Sequence, residues 1–418
     1  MKSEIIEGLQ ITGFFGQSQI EDIGLKIGDW ILEYNNEKVK SKSHLEELEV
    51  KYQHLQSIFL KVLKSNSEEY FQILPGELGV YLAEREQSPK VLSDAKRIEK
   101  ISRLEKKTGR ENTFFGSLIN ILRFYKVKVS FDDLICLSSF PYRIQFDENF
   151  SMDCLNPIEG FNCAEFILHN FEIKFKQIKK SKKNDIPKAI IESIDRKIPI
   201  LAKDLFGKNE WGIITGYQNS GKELFCRSYV DKTIDYSIAS QFPNQIIIFE
   251  KPPQKNKIVN SKEKISISIK NAELMFSSEK IGKYFLGNFA LEKWQKILEN
   301  ESFFESLSDK KFYQIFQNNK LFFYHYSFQF GVLSDCFNNY IQVFPKSKEH
   351  LKRLSKFYRA ESKILKDCQK FIPASTIEEV KKFWTNEFRN KEAVALIKIQ
   401  KKNKEIFRVL EKLPLLKK

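Results

Sequence analysis

Apolar and polar positions change rhythm three times along the chain, and each rhythm predicts a different kind of structure. Up to about Tyr81 the runs are short and strand-like. Trp30, Ile31, Leu32 and Tyr34 make one strand, and others are expected near Ser57–Leu63 and Tyr70–Leu74. Gly24 and Gly28 allow tight, positive-φ backbone where a loop enters the first strand, and Asn35-Asn36 turns it. Ser43, with Glu46 three residues later, predicts a capping box that opens a helix through about Tyr52. Between Glu84 and Arg110, Ile98, Ile101 and Leu104 form a narrow stripe on a charged segment, which predicts a linker helix over 83–110.

From about 108 to 252, helices come first and strands follow. Asn112 or Thr113 caps an apolar helix through Tyr125, Ser130 caps a second and Asn162 a third, while Pro187 suits the first turn of a fourth. Strands are expected at Pro199–Lys203, Trp211–Tyr217, Leu224–Tyr229 and Gln245–Glu250, with Asn219-Ser220-Gly221 as a hairpin turn. That order means α+β. From Ile265 the period becomes helical, and Ile265–Ile269 is the one stretch that also reads as strand. Leu291, Trp294, Ile297 and Leu298 share a face, and further helices are expected at 310–343, 347–371, 376–388 and 391–412. Pro345 and Pro373 punctuate them, and Thr376 with Glu378-Glu379 starts a new one. The expected result is an antiparallel helical bundle over 265–418, in which Phe322, Phe323 and Tyr326 pack a core.

Composition narrows the function classes. The chain has 418 residues, enough for two to four domains, and its 42% hydrophobic content supports packed cores and excludes wholesale disorder. No apolar stretch reaches the ~18 residues of a membrane span. The opening MKSEIIEGLQ lacks an apolar signal region, so the cytoplasm is the expected compartment. Six scattered cysteines, with no C-x-x-C pair and five histidines elsewhere, indicate neither a zinc site nor a disulfide framework, and no cofactor is expected. The cysteines read as small buried hydrophobes. The net charge of +15 is mostly lysine, locally dense after Lys391, with no zinc-finger or RNA-stacking motif beside it. Solvated helix faces explain it, and nucleic acid is not the expected partner; a basic nucleic-acid-associated protein is kept as the third reading.

The segment Ile23-Gly24-Leu25-Lys26-Ile27-Gly28-Asp29-Trp30-Ile31-Leu32-Glu33-Tyr34-Asn35-Asn36 resembles the G-L-x-x-G-D-x-I-x-x-x-N-G signature of PDZ domains, with Asn36 in place of the final glycine. The resemblance covers 1–82 and implies a PDZ-like β-barrel with a helix. A polypeptide C-terminus would add as a strand beside the helix, its carboxylate on the backbone N–H groups of a glycine loop. Gly8-Leu9-Gln10-Ile11 and Gly79-Val80 are both candidates for that loop, and His44 lies where such domains read their ligand.

Residues 111–252 resemble the papain-like domain of the butirosin biosynthesis protein H family and, more distantly, bacteriocin-processing peptidases. Thr113-Phe114-Phe115-Gly116-Ser117-Leu118, Tyr142-Arg143-Ile144-Gln145-Phe146 and Glu210-Trp211-Gly212-Ile213-Ile214-Thr215-Gly216-Tyr217 carry the likeness. The resemblance implies a cysteine capping the first helix and a histidine opening the Trp211 strand. This chain has Asn112 and Glu210 at those places. An amide is no useful nucleophile, and a carboxylate is a poor base at pH 7. The leading expectation is a non-catalytic peptide-binding or scaffold protein, with a crevice lined by Asn112, Ser117, Glu210, Trp211 and Tyr217. The rival is an amide-bond hydrolase or acyltransferase using Cys163, at a helix start, or a triad of Thr113, Glu210 and Asp231.

Overall fold

A computed structural model describes residues 8–14, 18–64, 67–76, 78–84, 91–104, 112–179, 186–207, 209–229, 231, 235–254, 262–369 and 376–413. The fold class is α+β, with antiparallel sheets and a C-terminal helical region. The chain divides into two compact units, Met1–Tyr125 with Phe175–Pro252, and Lys126–Lys174 with Pro253–Lys418. The expected 111–252 domain is therefore cut. Its middle belongs with the C-terminal helices, a long-range association that local patterning does not encode.

In the first unit, one antiparallel sheet runs in the order Ser67–Ile73, Ile58–Lys64, Trp30–Tyr34, Leu9–Phe14, Val80–Glu84, with Glu37–Lys38 pairing on Trp30–Tyr34. Asn35 and Asn36 both take positive φ, 51° and 65°, as a two-residue hairpin turn requires. Leu9, Ile11, Ile31, Leu60 and Val62 alternate inward and meet Leu45 and Leu48 of the helix Lys42–Tyr52. That helix is capped by Ser41, not Ser43. Ser41 is extended and its hydroxyl accepts from the His44 N–H, so Ser43 already lies inside the first turn.

A second antiparallel sheet in this unit runs Ser237–Ala239, Glu223–Arg227, Trp211–Gln218, Ile200–Lys203, Gln245–Phe249, Phe175–Lys179. The helices Thr113–Phe124 and Ile186–Asp195 pack on its central strands. Of the expected linker helix, 83–84 end the strand Val80–Glu84, and 91–104 form no helix but a turn at 93–94 and the short strand Lys96–Arg97. Lys96–Arg97 pair with Tyr217 and Gly216, and the Ile98 N–H donates to the Thr215 carbonyl at 2.7 Å. Ile98, Ile101 and Leu104 are all buried although the chain there is not helical, with Lys100 between them at φ 70°. Gly216 makes room for it, since a Cβ there would lie 2.3 Å from the Lys96 carbonyl oxygen.

The second unit joins the helices Phe131–Leu137 and Cys163–Asn170 to Lys262–Ser277, Gly287–Leu298, Asp309–Val343, Lys348–Gln369, Ile377–Phe383 and Asn386–Glu411. Ile265–Ile269 is helix, with Ile265 and Ile269 buried one turn apart. Three short strands that patterning does not reveal, Gln145–Phe146, Lys280–Ile281 and Tyr284–Leu286, pair with one another. The last helix begins at Asn386, capped by Thr385, so the expected break near 388–391 lies at Trp384-Thr385. Thr376 does form its capping box, with Glu379. Phe322, Phe323 and Tyr326 surround Trp294 as a core. Cys136 and Cys336 are joined by a disulfide across 200 residues of sequence, against the expectation of no disulfide framework. Spacing alone could not pair them. Among the described residues no helix is long and apolar enough to cross a membrane.

Candidate functional site

The start of the helix Thr113–Phe124 lies against the start of the strand Trp211–Gln218. Asn112 is extended (φ −94°, ψ 112°), and its Oδ1 accepts from the N–H groups of Phe114 at 3.1 Å and Phe115 at 3.4 Å. The side chain at the nucleophile's expected place therefore caps its own helix. Thr113 Oγ1 accepts from the Trp211 N–H at 3.1 Å, and the rings of Phe114 and Trp211 meet edge to face at 5.3 Å. One turn deeper, Gly116 lies under the Tyr229 hydroxyl, where a Cβ would come within 1.7 Å. Ser117 is fully buried, and its Oγ has no hydrogen-bond partner among the described residues.

Glu210 is half-buried beside Trp211. The crevice around them, walled by Asp204, Leu205, Phe206 and Ser228, has a volume of about 10 Å³. That is room for about one water, not for a substrate. Asp231 is held by Ser228 of the crevice wall and by Ser237. Its Oδ1 accepts from the Ser228 N–H at 3.1 Å, from Ser228 Oγ at 2.7 Å and from Ser237 Oγ at 2.9 Å. Burial raises its pKa against the pull of these donors. Tyr217 lies six residues along the strand, about 20 Å from Trp211. Its hydroxyl donates to Asp195 at 2.8 Å, so it does not share the crevice.

Cys163 belongs to the second unit and is fully buried, and desolvation pushes its thiol up to about 12. Asn162 caps its helix as expected, yet the dipole does not offset the loss of water. His169, on the same helix, is exposed and 3.5 Å from Glu165. The structure thus brings Asn112, Thr113, Glu210 and Trp211 together, with Ser117 behind them; Asp231 is engaged by Ser228 of the crevice wall, Tyr217 lies farther along the strand, and Cys163 belongs to the other unit.

No family model matches the chain, and no curated protein matches it either.

The second candidate place is a sheet edge. Leu9–Phe14 pairs with Trp30–Tyr34 on one side and Val80–Glu84 on the other, so Gly8-Leu9 opens onto no free edge. Leu9 is fully buried, and a Cβ on Gly8 would come 2.5 Å from the Ile31 carbonyl oxygen. Val80–Glu84 has a partner strand on one side only among the described residues, and the helix Lys42–Tyr52 packs beside it. The turn that enters this strand contains Gly79 at φ 70°, and the buried Leu78 is anchored by Ser18 Oγ, which donates to its carbonyl at 3.0 Å. The other edge, Ser67–Ile73, carries Glu68 and Glu69, charges that resist strand addition. His44 Nδ1 accepts from the Lys40 N–H at 3.4 Å, which ties it to the helix start.

Sequence reasoning missed Ser228, Tyr229 and Ser237 around the first place. The one available signal was Ser228 three residues before Asp231, the spacing at which a carboxylate folds back on backbone and hydroxyl.

Proposed function

We propose that this protein binds polypeptide, and that its PDZ-like first part takes an extended segment as an added strand along Val80–Glu84. The supporting observation is the open edge of that strand beside the helix Lys42–Tyr52, entered through the Gly79 turn. An edge strand offers alternate N–H and C=O groups to a new chain, and a glycine turn at its head leaves backbone donors for a terminal carboxylate. Of the two candidate loops, Gly79-Val80 is the one at an edge.

We infer further that the papain-like part works by contact and not by bond cleavage. A helix start packed on the start of a central strand is where such a fold would hold cysteine and histidine. Here Asn112 caps the helix, the Thr113 oxygen accepts from Trp211, and the crevice is closed to all but a water. No observation favours the hydrolase or acyltransferase reading.

The test is to pan the full-length protein against a library of peptides with free C-termini, then to follow amide hydrogen exchange. Selected peptides should protect the backbone of residues 80–84. Amidating their C-terminus should weaken binding about tenfold or more, the worth of a charged hydrogen bond. Failure to enrich any peptide, or protection confined to other segments, would overturn the proposal.

A further inference from the structure

From Leu351 to Lys366 the helix Lys348–Gln369 exposes Lys352, Arg353, Lys356, Arg359, Lys363 and Lys366, and no other residue in that stretch is exposed. Every exposed position is basic. The one acid in the stretch, Glu361, is fully buried. Opposite charges at i,i+4 stabilise a helix and like charges destabilise it, so a face made for solubility mixes its signs. This face instead sets Lys352 against Lys356 and Arg359 against Lys363. Arg359 reaches Asp335 at 2.5 Å and Lys352 is 3.5 Å from Glu349. Lys356 and Lys363 have no acidic partner among the described residues.

Lys352, Lys356, Arg359 and Lys363 line a groove of about 650 Å³, with Asn338 and Ser355 and without any carboxylate. At 1.5 Å per residue the four cations extend over about 16 Å, one every ~5 Å. Charge is segregated on a larger scale too. Residues 253–418 hold 33 Lys/Arg against 18 Asp/Glu, a balance of +15, while residues 1–252 hold 36 of each.

We propose that this helix face docks the phosphodiester backbone of a nucleic acid, without reading its sequence. A regular row of point charges matches a regularly charged polymer, and each ammonium that meets a phosphate releases condensed counterions. Apart from the aliphatic stems of the basic side chains, Ala360 is the only apolar residue lining the groove, which offers no broad apolar face to enter a membrane.

Fluorescence anisotropy of the full chain with labelled duplex DNA and labelled single-stranded RNA of arbitrary sequence tests this. Affinity for duplex should fall between about 50 and 200 mM salt. In the triple variant K352Q/K356Q/K363Q the salt slope should drop by about 2.7, removing about 40-fold of that fall. The triple variant should melt no lower than the parent, since repulsion is relieved; should it not fold, K363Q alone should lower the slope by about 0.9. The matched variant K176Q/K188Q/K222Q, exposed lysines of the first unit, should leave the slope unchanged. Absence of binding to both probes, or equal losses in the two triple variants, would overturn the proposal. So would loss of binding only to phosphatidylserine vesicles or polyglutamate, with nucleic acid unaffected.

Discussion

Replacing Glu392 with glutamine should make the protein more stable at alkaline pH and flatten its pH dependence. Glu392 is buried in the second unit. Its Oε2 accepts from Trp384 Nε1 at 2.9 Å and Asn319 Nδ2 at 3.1 Å, and Asn319 Oδ1 accepts from Trp294 Nε1 at 2.7 Å. Burial pushes the carboxyl up to about 8, against these hydrogen bonds and the charge of Arg389. The folded chain therefore keeps the proton that the unfolded chain releases near 4.5. Below the unfolded value both states are protonated, and the buried acid's contribution is intact. As pH rises toward the folded value only the unfolded state ionises, and stability falls by about 1.4 kcal/mol per pH unit. Across the interval the loss is roughly 5 kcal/mol, an upper figure since relaxation and water entry lessen it. Above the folded value the curve is flat. Glutamine keeps an oxygen acceptor for Trp384 and Asn319 but carries no charge to desolvate. Urea unfolding of parent and E392Q between about pH 5 and 8, followed by tryptophan fluorescence, should show the parent losing more stability than the variant, whose remaining slope comes from other buried acids such as Glu361, also raised by burial. Parallel curves, or a variant less stable than the parent at the alkaline end, would refute the reasoning.

Two further outcomes follow from the first unit's helix start and from Cys163. Asn112→Ala removes the acceptor for Phe114 and Phe115 and should lower unfolding free energy by about 1 kcal/mol in thermal or chemical denaturation; no loss would mean the amide is not the working cap. Cys163, its thiol held near 12 by burial, should resist iodoacetamide in the native protein and react only on unfolding, as read by peptide mass spectrometry. Rapid native labelling at that position would restore it as a nucleophile.

Local chemistry was legible where a single residue decides the geometry. Asn112, Ser130 and Asn162 each cap the helix expected of them, because a short polar side chain just before the first turn satisfies the same orphan N–H groups in any fold. Asn35-Asn36 turns its hairpin for a similar reason. What was not legible depends on partners distant in sequence. Lys96–Arg97 become strand because Gly216 admits their backbone, and Ile98, Ile101 and Leu104 are buried there without a helix. Cys136 meets Cys336 because their helices pack, a fact no spacing rule holds. At the site, the nearness of Asn112 to Glu210-Trp211 could be anticipated. The separation of Tyr217 could have been, since six residues of strand are a long way. Of the two serines that claim Asp231, Ser237 was beyond reach, because it arrives from another strand.

The crevice at the helix start is better understood as core than as a disabled site. Three groups that a catalyst would leave available are engaged: the Asn112 oxygen with two backbone donors, the Thr113 oxygen with Trp211, and one Asp231 carboxylate oxygen with two serines. The aromatic contact of Phe114 with Trp211, and the tyrosine over Gly116, fill the space a substrate would need. Restoring a thiol and an imidazole at positions 112 and 210 would supply chemistry without access. The places where this chain leaves its bonding capacity open are different ones: the outer side of the Val80–Glu84 strand and the row of lysines from Lys352 to Lys366. The proposed peptide strand in one unit and the proposed phosphate backbone in the other would each use such an open place, whereas a reaction at the helix start would have to displace contacts already made.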